Sequence, residues 1–197
     1  MEANIFGINR FRINIDGPGI VTLIGMYKCP LDCEYCINNP LSNYSKYSIE
    51  ELFDKIKVDA LYFEYYGGGI CFGGHEPLLQ QDFIIEFIKY VKSQNFKCNF
   101  GIETSLNYKL NPELKELLDY IIVDIKDMNP EIYKKYTGKS NRLVIDNIKG
   151  LLNQNMLIRI PLILGFNNEK DIEFSKEALR NLGYKDKQFD VFKYRTE

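Results

Sequence analysis

Cys29, Cys33 and Cys36 fall within eight residues of one another in the stretch "KCPLDCEYCINNP", Lys28 to Pro40, and they are three of only five cysteines in the chain. Thiolates are soft ligands for zinc and for iron-sulfur clusters. A triplet spaced by three and then two intervening residues therefore points to a metal loop. Structural zinc closes its tetrahedron with four protein ligands. The only histidine, His75, lies 39 residues beyond Cys36 and would complete a Cys3His site. A cubane held by three thiolates has a different consequence, because one iron stays open to a small-molecule ligand. The zinc loop, the cubane and three merely packed cysteines all stand as readings at this point. Cys71 and Cys98 fall in expected strands, where a lone cysteine is usually a small buried hydrophobe. No second set of cysteines is left for a further metal site.

Other residues with chemistry gather at the ends of apolar runs. Gly73, Gly74, His75 and Glu76 close the run "GGGICFGGHEP", and glycine there lets backbone approach a ligand closely. Glu103 and Thr104 end the run "FKCNFGIET"; they are either site residues or polar punctuation. Asp124 and Lys126 follow "YIIV" at alternate positions, which in a strand share one face. Arg159 sits inside "MLIRIPLIL", where a charge is costly unless paired. Asp16 belongs to "IDGPG", a turn by its Gly and Pro.

The elements that must position these residues alternate from Ile20 onward. Short β-branched and aromatic runs ("IVTLIGM", "GGGICF", "FKCNFGIET", "YIIVDIK", "MLIRIPLIL", "FDVFKY") are separated by amphipathic helical stretches. Ser48 with Glu51 forms a capping box, and Asn111 with Pro112 an N-cap and first helical residue. About six β/α units in one domain over residues 1–197 predict an α/β fold, an open partial (β/α)6 barrel with its working face at the C-terminal strand ends. With 25 Lys plus Arg against 27 Asp plus Glu, the charge of -2 gives no bulk footprint for nucleic acid or an anionic membrane. No run reaches the roughly 18 apolar residues of a membrane span, and the N-terminus lacks the pattern of a signal peptide. The expectation is a soluble, cytoplasmic protein.

"CPLDCEYC" fits the C-x3-C-x2-C signature of radical S-adenosylmethionine (SAM) enzymes. Together with "DGPGI" (Asp16–Ile20), "GGGICFGGHEPLLQ" (Gly67–Gln80), "DIKDMNPEIYKKYTGKSN" (Asp124–Asn141) and "IRIPLILGFNN" (Ile158–Asn168), it resembles the glycyl radical enzyme activases, typified by pyruvate formate-lyase activating enzyme. The resemblance implies a [4Fe-4S] cluster on Cys29, Cys33 and Cys36, with SAM chelated at the open iron. It implies reductive cleavage of SAM to a 5'-deoxyadenosyl radical, which takes hydrogen from a backbone glycine of a partner glycyl radical enzyme under anaerobic conditions. A low-potential electron donor such as flavodoxin or ferredoxin is implied as well. Carried over by motif, Gly73, Gly74, His75, Glu76, Glu103, Thr104, Asp124, Lys126 and Arg159 would meet the cofactor. Asp16 would help place the target peptide, with Lys126 beside the chemistry. His75 departs from the family, which has a second Gly at this position, so its ring either packs aside or bears on cofactor or substrate. A radical SAM enzyme with a peptide or small-molecule substrate, and a non-catalytic iron-sulfur or zinc module, remain alternatives.

Overall fold

The computed structural model describes residues 1–38 and 43–194. The run from Ile20 to Met26 is β2, and five further strands join it in parallel: β4 (Gly68–Gly74), β5 (Asn99–Thr104), β6 (Tyr120–Asp124), β7 (Met156–Leu162) and β8 (Phe189–Lys193). These are the six predicted strands, in the predicted order. Two antiparallel strands extend the sheet beyond them, β1 (Glu2–Ile13) and β3 (Ser45–Ser48), to give the order β3-β1-β2-β4-β5-β6-β7-β8. The sheet does not close, so the single α/β domain is an open, curled sheet.

Period-two alternation divides each central strand between two environments. Ile24, Ile70, Phe72, Phe100, Ile102, Ile121, Val123 and Ile158 point into the main core. There they meet helices such as α1 (Ile49–Ile56), α3 (Gln81–Ser93) and α7 (Glu169–Asn181). Burying both faces is what a parallel sheet requires, and it explains strands that read as continuous apolar runs. Ser48 and Glu51 exchange hydrogen bonds as the capping box of α1, and Asn111 caps α4 (Pro112–Leu117) with Pro112 behind it. Asn129 and Pro130 repeat that device at α5 (Pro130–Thr137), whose C-terminus is closed by Gly138 at φ 71°.

The opposite face of the sheet forms a smaller cluster of Val21, Leu23, Cys71, Tyr120 and Ile122. Tyr120 stands at the start of β6, and a Cβ placed on Gly101 would lie 2.1 Å from its ring. A Cβ on Gly17, whose φ is 145°, would lie 2.2 Å from the Tyr120 hydroxyl oxygen. That hydroxyl donates to the Asp16 carbonyl at 2.9 Å. The "IDGPG" turn is thereby folded against the inner face at the N-terminal end of β6.

Candidate functional site

A cavity of about 520 Å3 occupies the concave side of the sheet. Its wall includes Cys29, Cys33 and Cys36 from the loop after β2, Glu103 and Thr104 from β5, Asp124 and Lys126 at the end of β6, Arg159 from β7, and Asp16. Residues from both sides of the sheet's opening, Phe6 and Arg12 on β1 and Asp190 and Phe192 on β8, also line it. Gly74 and His75 at the end of β4 line it as well, so the predicted residues converge from six separate segments on one space. Its size is that of ordinary small-molecule sites.

Charges on the wall are paired. The register sets Asp124 beside Arg159, and Arg159 beside Asp190. The Arg159 guanidinium bonds the Glu103 carboxylate and the Ile15 carbonyl, with Asp190 3.8 Å away. This supplies the partner that a charge inside an apolar strand requires. Burial, and then Asp124, push the Glu103 carboxyl up to about 7 against the opposing pull of Arg159. Lys126 donates to Asp124 at 3.0 Å. Burial alone would lower the Lys126 ammonium, but Asp124 and then Cys33 outweigh it and leave it above its ordinary value. Asp16 is buried, and its carboxylate is bonded by Arg12, the more exposed partner of the pair.

Glu76 lies behind the cavity wall. The residue has no exposed surface, and it does not line the cavity. One carboxylate oxygen accepts from Thr104 Oγ1 at 2.6 Å and Leu78 N at 3.2 Å, and the other from Ser105 Oγ at 2.6 Å and Ser105 N at 3.1 Å. A carboxylate so occupied has no oxygen to spare for a ligand. It ties the end of β4 to the end of β5. Gly73 also lies off the cavity wall, with Glu103 filling the space that a side chain would need, whereas Gly74 faces the cavity.

His75 has both ring nitrogens engaged. Nδ1 accepts from the Lys28 amide at 3.1 Å, and Nε2 lies 3.1 Å from the Asn38 carbonyl oxygen. The zinc reading that borrowed this ring therefore loses its fourth ligand. Among the described residues, no group of three or more His, Cys, Asp and Glu side chains converges tightly enough for one metal ion. A cubane does not need that convergence, because its thiolates bind separate irons. The donor set suits it: the three cysteines are free, partly buried and on one cavity wall. The Leu31 amide donates to Cys29 Sγ at 3.5 Å. Burial pushes the Cys29 thiol up to about 12 and the Cys33 thiol up to about 11, so their ionisation has to be driven by a bound metal.

The sequence reading missed several wall residues. Asp190 and Phe192 alternate within "FDVFKY", a pattern that gives them one face once β8 is recognised. Tyr194, whose ring lies 6.0 Å from Lys126 Nζ, and Arg12 carried no local signal.

Residues 23–178 match the model of the radical SAM superfamily. The pyruvate formate-lyase-activating enzyme of Listeria monocytogenes is 32% identical over 201 residues, 92% of this chain and 78% of that one. The (2S)-3-sulfopropanediol dehydratase activating enzyme of Klebsiella oxytoca is 28% identical, over 90% of this chain and 77% of that one. Among solved structures, SuiB of Streptococcus suis bound to its precursor peptide SuiA shares the fold, with a TM-score of 0.64 at 14% identity over 89% of this chain and 39% of that one. The chain belongs to the radical SAM superfamily and, within it, to the activating-enzyme family of these relatives. It is a radical SAM enzyme, and the cofactors of that superfamily are a [4Fe-4S] cluster and SAM.

Proposed function

We propose that the chain activates a partner glycyl radical enzyme by taking a hydrogen atom from one backbone glycine. The observation that carries this is the convergence of Cys29, Cys33, Cys36, Glu103, Asp124, Lys126 and Arg159 on one cavity, in a chain related to activating enzymes. When bound, the cluster and SAM supply a 5'-deoxyadenosyl radical after one electron from a low-potential donor such as flavodoxin or ferredoxin.

Every other part of the task belongs to the protein. Cys29, Cys33 and Cys36 would hold the cluster, which with three protein ligands would supply an open site for SAM. Gly74, on the cavity wall, would let the methionine part of SAM approach the end of β4 closely. Glu103 and Asp124 offer acceptors and Arg159 and Lys126 donors, all fixed in advance by the pairs already described, while the Thr104 hydroxyl is held by Glu76 and the Leu106 amide. Prior pairing limits the reorganisation needed when a charged ligand enters. Arg12 and the buried Asp16 set the floor on which the target segment rests, and the apolar side chains Phe6 and Phe192 keep water from the reacting carbon.

The test is atom transfer. With reductant and SAM, the chain should form 5'-deoxyadenosine slowly alone and faster with its partner, which should gain a carbon-centred radical. Deuterium placed on Cα of the target glycine should appear in the 5'-deoxyadenosine. Deuterium arriving instead from a side chain or a small molecule, with no radical on a partner glycine, would keep the radical enzyme and discard the activase.

A further inference from the structure

The cysteine loop leaves β2 at Met26 and is gripped at both ends by the segment that follows β4. At its start, the His75 amide donates to the Met26 carbonyl at 3.3 Å and the Glu76 amide to the Lys28 carbonyl at 3.1 Å. At its far end, Asn38 Nδ2 donates to the Gly74 carbonyl at 2.6 Å. One side chain joins the two ends. His75 accepts the Lys28 amide on Nδ1 and reaches the Asn38 carbonyl with Nε2. Accepting on Nδ1 requires a bare nitrogen there, so the ring proton sits on Nε2 and is donated to Asn38. The ring is fixed by Phe6 and Tyr27, with centroids at 4.9 and 5.7 Å.

Cys29, Cys33 and Cys36 all lie between the two residues that this ring connects. Lys28, directly before Cys29, is held at φ 89°, a backbone conformation that a residue with a side chain rarely adopts and that its surroundings must enforce. The middle of the loop is held from other elements: the Asp32 amide donates to the Thr137 carbonyl at 3.0 Å and the Glu34 amide to the Tyr136 carbonyl at 3.2 Å, both at the end of α5, and the Tyr35 ring meets that of Phe166 with centroids 5.8 Å apart. Those contacts fix the centre of the loop; β1 adds a bond at its start, where the Tyr27 amide donates to the Asn4 carbonyl at 2.9 Å, and the His75 ring alone among these contacts joins the start to the far end.

We infer that His75 is a positioning residue, a clasp that closes the cysteine loop and retains the cluster, and not a ligand of cofactor or substrate. This rests on the reading of the three cysteines as the cluster ligands, and the experiment separates the two. In the metal-free chain, site-resolved hydrogen exchange of the Lys28 amide reports the clasp without any metal. In the anaerobically reconstituted chain, without SAM, transfer of iron to a ferrous chelator reports retention. His75→Phe keeps an aromatic ring between Phe6 and Tyr27 and removes both bonds. Its Lys28 amide should exchange, and its iron should leave, about tenfold faster than in the wild type, as expected for the loss of ordinary protecting bonds. His75→Asn returns an acceptor for the Lys28 amide and should restore its protection. Urea midpoints identify the folded variants. Exchange and iron loss unchanged in His75→Phe would overturn the clasp, and so would faster exchange with unchanged iron loss. If the wild-type chain takes up no iron, the cluster reading fails, and the exchange data alone decide whether His75 orders the loop.

Discussion

Glu103 is a wall residue whose surroundings bring its titration close to neutral pH. Its carboxyl is pushed up to about 7 by burial and by Asp124, with Asp16 adding to the push and Arg159 and Lys126 opposing it. The folded chain therefore holds this proton more tightly than the unfolded chain does. The stability it contributes is present in acid and is lost as pH rises through about 7. Urea unfolding of the metal-free chain should show the wild type weakening between about pH 5 and pH 8, and Glu103→Gln should flatten that slope. The cysteines make a sharper prediction. Replacing any one of Cys29, Cys33 and Cys36 with Ala should cost most of the iron taken up on reconstitution, about four per chain for one cubane. Cys98→Ala should leave iron and sulfide content unchanged. That the three cysteines share one loop on the cavity wall was legible, because residue type and spacing survive in a linear string. The role of Glu76 was not, because nothing in "GGHEP" tells that Thr104 and Ser105, 28 and 29 residues on, would occupy both carboxylate oxygens.

At the scale of elements, each of the six parallel strands and the caps of α1 and α4 could be read from local pattern. The antiparallel strands β1 and β3 could not. β1 buries only Ala3 and Ile5 fully and runs on half exposed, so its alternation is weak, and the four residues of β3 owe their pairing to β1. Two element-level contacts carry predictions. Glu76→Ala would leave the Thr104 and Ser105 hydroxyls and the Ser105 amide buried without their acceptor. It should lower stability by about 2–4 kcal/mol in urea unfolding, for several lost bonds to a charged group. Gly101→Ala would drive a methyl into the Tyr120 ring, from which the bonded "IDGPG" turn cannot easily withdraw. It should cost about 1–3 kcal/mol or more, as overpacking does, and Tyr120→Ala should relieve part of the Gly101→Ala penalty in a double-mutant cycle.

For the molecule as a whole, the strand order fixes which parts are stable and which are exposed to exchange. Amides of β4, β5 and β6, with a partner on each side, should exchange slowest in the metal-free chain, and those of the terminal strands β3 and β8 fastest. A uniform rate across the sheet would contradict this. The same order leaves the concave cavity bounded by β1 on one side and β8 on the other, with no strand pairing between them among the described residues. A reaction vessel with one wall missing is completed by its guest. Under the proposed activase function, selectivity would lie less in the shape of the pocket than in the seal: a segment that filled the gap would shut out water while the radical exists, and one that fitted poorly would spend the cofactor without yielding product.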